Sequence, residues 1–333
     1  MKISGSIYSD KNRELKETIT DLQAHQVDML HVDCNDDVSV FEDIKQIRTW
    51  CDLPIDLHII TETPEKYFGL LRETPVEFVT FQYEQLKEKL VIPADIKGEK
   101  GLGIITPTSI DVFDAYADFD FILMMATIPG QSGGVFAPEN FQKINHFKKK
   151  YPSKNVHVDG GVNGEVSFIL RNMGVHASVS GSFLFKNVSI GQALMDLTRR
   201  AIKSQFKVRD FMIPIQECPL VQYDSMTFKS VLESIDAGKQ GFTLVEENNQ
   251  FKGIISNADV RKALIRNFND LQQVDAQKMV NEHPVIISAD ANVTEMLNVV
   301  RSKSFPVMYM PVVNGGNKVE GIITFINLIK GEI

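Results

Sequence analysis

Short apolar runs alternate with amphipathic stretches along the first part of the chain. The apolar runs have the length and composition of strands and are expected at Lys2–Tyr8, Met29–Asp33, Ile55–Ile60, Phe78–Phe81, Gly101–Ile105, Phe119–Met124, Asn155–Asp159 and Ala177–Ser180. Segments of helical period lie between them, at Arg13–His25, Val40–Trp50, Pro64–Glu73, Pro138–Lys150 and Gly164–Met173. This repetition predicts an α/β fold in which a closed (β/α)8 TIM barrel is wrapped by helices. An open doubly wound sheet is the alternative, because alternation alone does not show closure.

The last part of the chain has a different pattern, in which two segments resemble each other. Gly241–Asp259 and Met310–Asn327 each predict a strand, a polar turn, a second strand and then a Ser or Thr that begins a helix. One such unit is too small to bury its own core well, so the two are expected to pack together. The sequence therefore predicts a barrel domain at 1–205 and an α+β pair of modules at 206–333.

Composition narrows the classes of function. The chain has 35 Lys+Arg against 43 Asp+Glu and a net charge of −8, which disfavours nucleic acid as its main partner. The longest apolar run, Phe121–Ile128, is far shorter than a membrane span, and the first residues enter a strand pattern with no apolar leader. The three cysteines lack the spacing of a metal site. We therefore expect a reduced, cytoplasmic protein that binds neither nucleic acid nor membrane.

Four potential metal ligands lie at the ends of predicted barrel strands. His31 and Asp33 are two positions apart, so both side chains lie on one face of their strand, while His58 and Asp159 end two other strands. Strand ends converge at the mouth of a barrel, where active sites form. Two imidazoles and two carboxylates suit Zn, Fe(II), Mn or Co. Any one of these residues taken alone is more simply explained as a loop cap, but the four together predict a metal site.

Glycine-bearing loops follow three late strands. They contain Gly133, then Gly160 and Gly161, then Gly181 and Ser182. Loops at this end of a barrel offer backbone N–H groups that hold phosphate, and glycine lets the backbone come close to the anion. Each loop taken singly is an ordinary tight turn, whereas the set predicts a small phosphorylated substrate.

These residues resemble the ribulose-phosphate 3-epimerase family over about Ile3 to Ala201. The ordered motifs that carry the resemblance are Ser6-Ile-Tyr-Ser-Asp10, His31-Val-Asp-Cys-Asn-Asp36, Asp56-Leu-His58, Leu123-Met-Met125, Pro129-Gly-Gln-Ser-Gly133, Val158-Asp-Gly-Gly-Val-Asn163 and Gly181-Ser-Phe-Leu-Phe185. The resemblance implies that a divalent metal is held by the four ligands and that Asp33 and Asp159 are the two acid/base groups. It also implies that Ser6 contacts substrate oxygens, that Met125 lines the site, and that the glycines with Ser182 hold the phosphate.

The implied reaction is epimerisation at C3 of a ketose phosphate, with D-ribulose 5-phosphate and D-xylulose 5-phosphate as the default pair. A metal on the ketone and hydroxyl oxygens stabilises the enediolate, and one carboxylate on each face exchanges the proton. The chain departs from the family pattern at Asn35, Ile60, Gln82 and Gln131, which leaves the identity of the sugar open.

Two other interpretations of the barrel remain open at this point. A related phosphate-binding decarboxylase or aldolase would carry an Asp-x-Lys-x-x-Asp signature, and the nearest match, at Asp95 and Lys97, lacks the last Asp. A non-catalytic regulatory protein that binds sugar phosphate or nucleotide on an epimerase scaffold is the second, although the ligands and both proposed bases are intact.

The region Val208 to Ile333 resembles a tandem pair of CBS domains like those appended to sugar-phosphate isomerases. The resemblance rests on strand, turn and strand followed by Gly-Ile-Ile-Ser/Thr, and it implies adenine nucleotide binding between the modules, with Ser256 and Thr324 near phosphate and Asp259 on the ribose. Asn327 stands where the second module would repeat Asp259, so one complete nucleotide site is expected. Dimerisation alone is the competing role, and a homo-oligomer is expected through the CBS pair or the barrel.

Overall fold

The structure is a computed structural model that describes residues 1–127, 133–198 and 205–326. The described residues divide into two compact units, a first one within 1–198 and a second one at 205–326. No helix among the described residues is long and apolar enough to cross a membrane.

Eight parallel strands close into a barrel in the first unit, with β1 hydrogen-bonded to both β2 and β8. The strands are β1 Lys2–Ser6, β2 Met29–Asn35, β3 Ile55–Ile60, β4 Phe78–Gln82, β5 Glu99–Ile105, β6 Phe121–Met125, β7 Asn155–Asp159 and β8 Ala177–Ser180. The predicted closed barrel is therefore confirmed, and the open sheet is not formed.

The connections on the outside of the barrel are mostly helices. These are α1 Leu15–Ala24, α2 Val40–Trp50, α3 Lys66–Glu73, α4 Glu139–Lys150, α5 Gly164–Asn172, α6 Ser182–Lys186 and α7 Ile190–Thr198. Between β4 and β5, and between β5 and β6, the described chain forms 3₁₀ turns at Tyr83–Gln85 and Ile110–Tyr116 instead of α-helices. The five predicted helices are confirmed, with ends that differ by no more than two residues.

Two predicted strands are shorter than expected, and one of them, β6, begins at Phe121 instead of Phe119. The pattern predicts Lys2–Tyr8, but β1 ends at Ser6 and Ile7–Ser9 forms a 3₁₀ turn. The hydroxyls of Ser6 and Ser9 lie 3.0 Å apart across that turn. Serine side chains compete for local hydrogen bonds in this way, which favours a turn over further strand pairing.

The interior of the barrel changes character along its axis. An apolar cluster is formed by Met29, Phe78, Phe121, Leu123 and Ala177, together with Met125 at the end of β6. His157 is fully buried there, and its ring stacks on Phe121 with a centroid distance of 4.1 Å. Because residues two apart on a strand share a face, the next inward position on β7 above His157 is Asp159. Asp159 therefore lies one inward position above a buried histidine that packs against the aromatic side chains of this cluster.

The second unit is built from two small sheets with strand orders β10-β11-β12 and β13-β14-β9. Its elements are α8 Val208–Phe211, β9 Ile213–Pro214, β10 Leu220–Gln222, α9 Phe228–Gly238, β11 Phe242–Glu247, β12 Gln250–Ser256, α10 Asn257–Arg266, α11 Val293–Arg301, β13 Tyr309–Val313 and β14 Val319–Thr324.

Each sheet of the second unit is centred on an antiparallel hairpin, β11 with β12 and β13 with β14, as the repeated pattern predicts. Residues of both hairpins, among them Phe242, Leu244, Val313 and Ile322, form one hydrophobic core. The two repeats thus bury a common interior that one repeat alone would lack.

Candidate active site

The four predicted metal ligands lie together at the carboxyl ends of their strands. One ligand atom from each of His31, Asp33, His58 and Asp159 lies within 4.8 Å of all the others. Both imidazoles are fully buried, whereas the side chains of Asp33 and Asp159 are 21% and 18% exposed. The Nε2 atom of His31 is 3.2 Å from Asp33 Oδ1 and 4.0 Å from Asp159 Oδ2. The carboxylates therefore face the barrel mouth, and the imidazoles form the base of the cluster.

His31 is oriented by the carboxylate of Asp56, a residue to which the sequence pattern gives no role. Its Nδ1 atom is 2.8 Å from Oδ2 of the buried Asp56, which also accepts a hydrogen bond from the Ser4 hydroxyl at 3.1 Å. Because a carboxylate only accepts, the neutral ring carries its proton on Nδ1 and directs the lone pair of Nε2 into the cluster. Asp56 stands two positions before His58, so the shared inward face of β3 was the available signal.

His58 is oriented from its other nitrogen. Its Nε2 atom is 2.7 Å from the side-chain oxygen of Gln82, a residue that is 2% exposed. Its Nδ1 atom lies 3.5 Å from Asp33 Oδ1 and, among the described residues, this buried nitrogen has no hydrogen-bond partner. An orphaned buried nitrogen that points into a group of two carboxylates and a second imidazole fits a divalent metal of the Zn, Fe(II), Mn or Co type.

The two carboxylates of the cluster differ in their proton affinity. Burial opposes ionisation of Asp33, but the adjacent His31 and His58 outweigh it and hold the pKa of that carboxyl well below its ordinary value. Burial raises the pKa of Asp159 to about 6, and the charge of Asp33 adds to the rise. Burial disfavours the charged form of His31, yet the Asp33 and Asp56 carboxylates raise the pKa of this ring well above its usual value. Two acids with pKa values pushed apart are the arrangement that acid/base chemistry uses.

The residues predicted to contact the substrate surround this cluster. Met125 ends β6 and pairs in register with Asp159. Gly181 lies beside Ser6, since a Cβ at Gly181 would be 3.2 Å from the Ser6 Cβ. A Cβ at Gly133 would lie 4.0 Å from the hydroxyl of Ser182. These five residues thus belong to the ends of β1 and β6 and to the segments that follow β6 and β8, whereas Pro129 to Ser132 of the predicted phosphate loop lie outside the described residues.

The paired glycines after β7 are required by the backbone. Gly160 and Gly161 have φ angles of +108° and +67°, values that favour glycine. A Cβ at Gly160 would also lie 2.9 Å from the backbone nitrogen of Thr127, and one at Gly161 would lie 2.8 Å from the carbonyl carbon of Val135. The loops after β6 and β7 thus pack closely against each other, and a side chain at either glycine would collide with Thr127 or with the backbone of Val135 and Phe136.

The three residues predicted for nucleotide lie in the second unit. Ser256 is the N-cap of α10, and its amide and hydroxyl donate to Asp259 Oδ2 at 3.1 and 2.6 Å. Lys262 Nζ is 3.1 Å from Asp259 Oδ1. Thr324 ends β14, and Asn327 lies outside the described residues. The sequence predicts Ser256 at the start of a helix, as found, but it does not assign Asp259 as the partner of this cap, although Ser-x-x-Asp before a helix is a known signal for one.

A closed parallel barrel that gathers imidazoles and carboxylates at the carboxyl ends of its strands has the architecture of a (β/α)8 enzyme. A match to a known family shows which kind of (β/α)8 enzyme this is. The sequence model of the ribulose-phosphate 3 epimerase family matches residues 2–185, and the chain belongs to this family of isomerases. A CBS-domain model matches residues 276–332.

Individual relatives agree with the family match. The ribulose-phosphate 3-epimerase of Schizosaccharomyces pombe is 26% identical over 61% of this chain and 95% of its own. That of Methanocaldococcus jannaschii is 28% identical over 64% of this chain and 95% of its own. A solved structure of CBSX2 in complex with AMP matches 38% of this chain and 96% of that chain, at 23% identity and a TM-score of 0.31.

Proposed function

We propose that the barrel epimerises C3 of a ketose phosphate, by default D-ribulose 5-phosphate to D-xylulose 5-phosphate, in a metal-dependent reaction. The observation that carries the proposal is the cluster itself: Asp33 and Asp159 share a site with two buried imidazoles, and their ligand atoms lie within 4.8 Å. Family membership and the curated 3-epimerases among the relatives support the same reaction.

Asp33 and Asp159 are the two proton carriers in this proposal. One carboxylate takes the proton from C3, and the other delivers a proton to the opposite face, so the configuration at C3 inverts. The low pKa of Asp33 and the raised pKa of Asp159 give the free site one ionised carboxylate and one that holds a proton more readily. A divalent metal held by the four ligands supplies a Lewis acid for the negative charge that develops on the substrate oxygens. His31 and His58 serve as ligands and are held in place by Asp56 and Gln82.

The substrate is anchored by its phosphate in the loops that bear Gly133, Gly160, Gly161, Gly181 and Ser182, with Ser6 at the neighbouring strand end. Asn35 is exposed at the end of β2, two positions beyond Asp33. Its amide offers a hydrogen-bond partner for an additional substrate hydroxyl, so longer or modified ketose phosphates belong in the substrate panel.

The test follows the interconversion of D-ribulose 5-phosphate and D-xylulose 5-phosphate by NMR. It compares protein that has been stripped of metal with samples that are then reloaded separately with Zn, Fe(II), Mn or Co. The proposal expects no turnover by stripped protein, restored turnover on reloading, and no restoration in His58→Ala. If none of the reloaded forms converts any pentulose or heptulose phosphate, the proposal is overturned. A higher kcat/KM on ribulose 5-phosphate than on each longer ketose phosphate would remove the role given to Asn35.

We further propose that the second domain, at 206–333, regulates the barrel domain at 1–205 by binding adenine nucleotide at Ser256 and Asp259, and that the chain forms a homo-oligomer. The CBS match and the position of Ser256 at the start of α10 support this proposal. Calorimetry with AMP, ADP and ATP tests it, with binding expected to weaken about ten- to a hundredfold in Asp259→Ala. Regulation also requires that the nucleotide change substrate affinity or turnover. If none of the three nucleotides gives heat or a thermal shift, the regulatory proposal fails and dimerisation becomes the better explanation of this domain.

A further inference from the structure

Gln82 connects the metal-facing histidine of β3 to an acidic residue just beyond β4. Its side-chain oxygen is 2.7 Å from His58 Nε2, and its side-chain nitrogen donates to Glu84 Oε2 in a short hydrogen bond. Gln82 is buried at the end of β4, and Glu84 is half-buried in the 3₁₀ turn that follows. The three side chains therefore form a chain of hydrogen bonds that runs outward from the cluster.

The chemistry of Glu84 determines which way the amide of Gln82 points. Glu84 Oε1 accepts from the backbone nitrogen of Ile105 at 3.0 Å and from the hydroxyl of Thr108 at 2.5 Å, so this carboxylate acts as an acceptor. A carboxylate acceptor requires the NH₂ group of Gln82 to face it. The amide oxygen of Gln82 must then face His58, and an oxygen only accepts, so His58 Nε2 carries the hydrogen.

The protonated Nε2 leaves the lone pair of His58 on Nδ1. That nitrogen faces Asp33 Oδ1 at 3.5 Å and has no other partner among the described residues. The backbone leaves room for the arrangement: a Cβ at Gly103 would lie 2.7 Å from the Gln82 oxygen and 3.3 Å from His58 Nε2. Any larger residue at position 103 would therefore push the amide away from the imidazole.

We propose that Gln82 and Glu84 are positioning residues that fix His58 in its Nε2–H tautomer and so present Nδ1 as the ligand atom. The inference deepens the proposed function, because it concerns how one proposed ligand is made ready for the metal. It gives Gln82 and Glu84, which are not among the four proposed ligands, a role in orienting one of them. Hydrogen-bond partners of this kind typically change metal affinity by about 10- to 100-fold when removed.

The first readout is the tautomer of His58 in metal-free protein, measured from two-bond ¹H–¹⁵N couplings of ¹⁵N-histidine at a pH where the ring is neutral. The signal is assigned by its loss in His58→Asn. The proposal expects the Nε2–H tautomer in the wild type and a mixed or Nδ1–H population in Gln82→Leu. An Nδ1–H tautomer in the wild type would overturn it.

The second readout is affinity for Co²⁺, followed by its visible absorption. Gln82→Leu is expected to bind about 10- to 100-fold more weakly than wild type. Glu84→Gln should lose less Co²⁺ affinity than Gln82→Leu, because an amide at position 84 permits both orientations of the Gln82 amide. Gln85→Leu is the matched control, since Gln85 is an exposed amide in the same turn, and its affinity should be unchanged.

The two readouts separate failure of this inference from failure of the proposed function. Equal Co²⁺ affinity in wild type and a folded Gln82→Leu, judged by circular dichroism, would overturn the positioning role whatever the activity. A wild type that shows the Nε2–H tautomer and binds Co²⁺ but does not epimerise any ketose phosphate would overturn the proposed function and leave the positioning role standing.

Discussion

Asp159 in the barrel and Asp259 in the second unit are both aspartates predicted to act on a ligand, yet the structure surrounds them differently. Asp159 ends β7, and the described residues make no hydrogen bond to its carboxylate; His31 Nε2 lies 4.0 Å from its Oδ2 atom. Asp259 accepts from both the amide and the hydroxyl of Ser256 and pairs with Lys262.

The difference shows how a carboxylate becomes available for chemistry. Strand ends place Asp159 among side chains of other strands, where its oxygens are not needed to satisfy the backbone. The first turn of a helix has unpaired N–H groups, so a carboxylate there is drawn into capping. A nucleotide that uses Asp259 would have to share this carboxylate with the cap of α10 or displace Ser256 from it.

The largest expected effect comes from removing the proton-carrying oxygen of the barrel carboxylate. Asp159→Asn keeps the size of the side chain and should lower turnover by about 10²- to 10⁴-fold, because an amide cannot carry the proton. The measurement is kcat at saturating substrate, with metal content determined in the same sample. A fully loaded variant whose kcat stays within a few-fold of wild type would contradict the role given to Asp159.

Asp56 is an intermediate case, a barrel carboxylate whose Oδ2 is fully committed to hydrogen bonds. Asp56→Asn should weaken Co²⁺ binding by about 10- to 100-fold, because His31 loses the charged acceptor that fixes its ring. Asp52→Asn, at an exposed position before β3, is the matched control and should bind as wild type does. Equal affinities in the two variants would show that orientation by Asp56 is unimportant.

The two aspartates should give opposite pH dependence of stability in metal-free protein. Burial raises the pKa of Asp159 to about 6, so the folded state binds more protons than the unfolded state between the usual value of 3.8 and 6. The contribution of Asp159 to stability therefore falls as pH rises through that window, by about 1–3 kcal/mol. Burial opposes ionisation of Asp259, but Ser256 and Lys262 lower its pKa, so its contribution is present above 3.8 and is lost as pH falls below it.

The free energy of unfolding is measured from pH 3 to pH 7 in roughly unit steps. Comparing wild type with Asp159→Asn and Asp259→Asn checks the direction of both pH effects on stability. Asp159→Asn should remove the loss of stability between 3.8 and 6. The same pH slope in wild type and Asp159→Asn would refute the assignment of that loss to Asp159.

The smallest expected effect concerns the helix cap alone. Asp259→Ala should destabilise the second unit by about 1 kcal/mol, because the N-cap residue of α10 loses its reciprocal partner. Asp236→Ala, an exposed position within α9, is the control and should change stability by no more than about 0.5 kcal/mol. Equal effects of the two substitutions on urea unfolding would argue that the contacts of Asp259 stabilise nothing.

Much of the barrel and its cluster was predictable because strand periodicity fixes which side chains share a face. His31 and Asp33 on β2, and Asp159 at the end of β7, follow from that rule alone. The partners Asp56 and Gln82 were not assigned, because their contacts depend on which strands are neighbours and on the register between them. The role of Asp259 was read only as ligand binding, since a Ser-x-x-Asp sequence suits both a cap and a phosphate-binding helix start.

The central claim is that two carboxylates, one on each face of C3, exchange the proton. It is tested most directly by running the metal-loaded wild type on ribulose 5-phosphate in D₂O and measuring deuterium at C3 in product and remaining substrate during the first few per cent of conversion. Exchange by two carboxylates predicts xylulose 5-phosphate that carries deuterium at C3, because Asp33 or Asp159 delivers a proton taken from solvent and not the one removed. Product that retains its original hydrogen at C3 would contradict it.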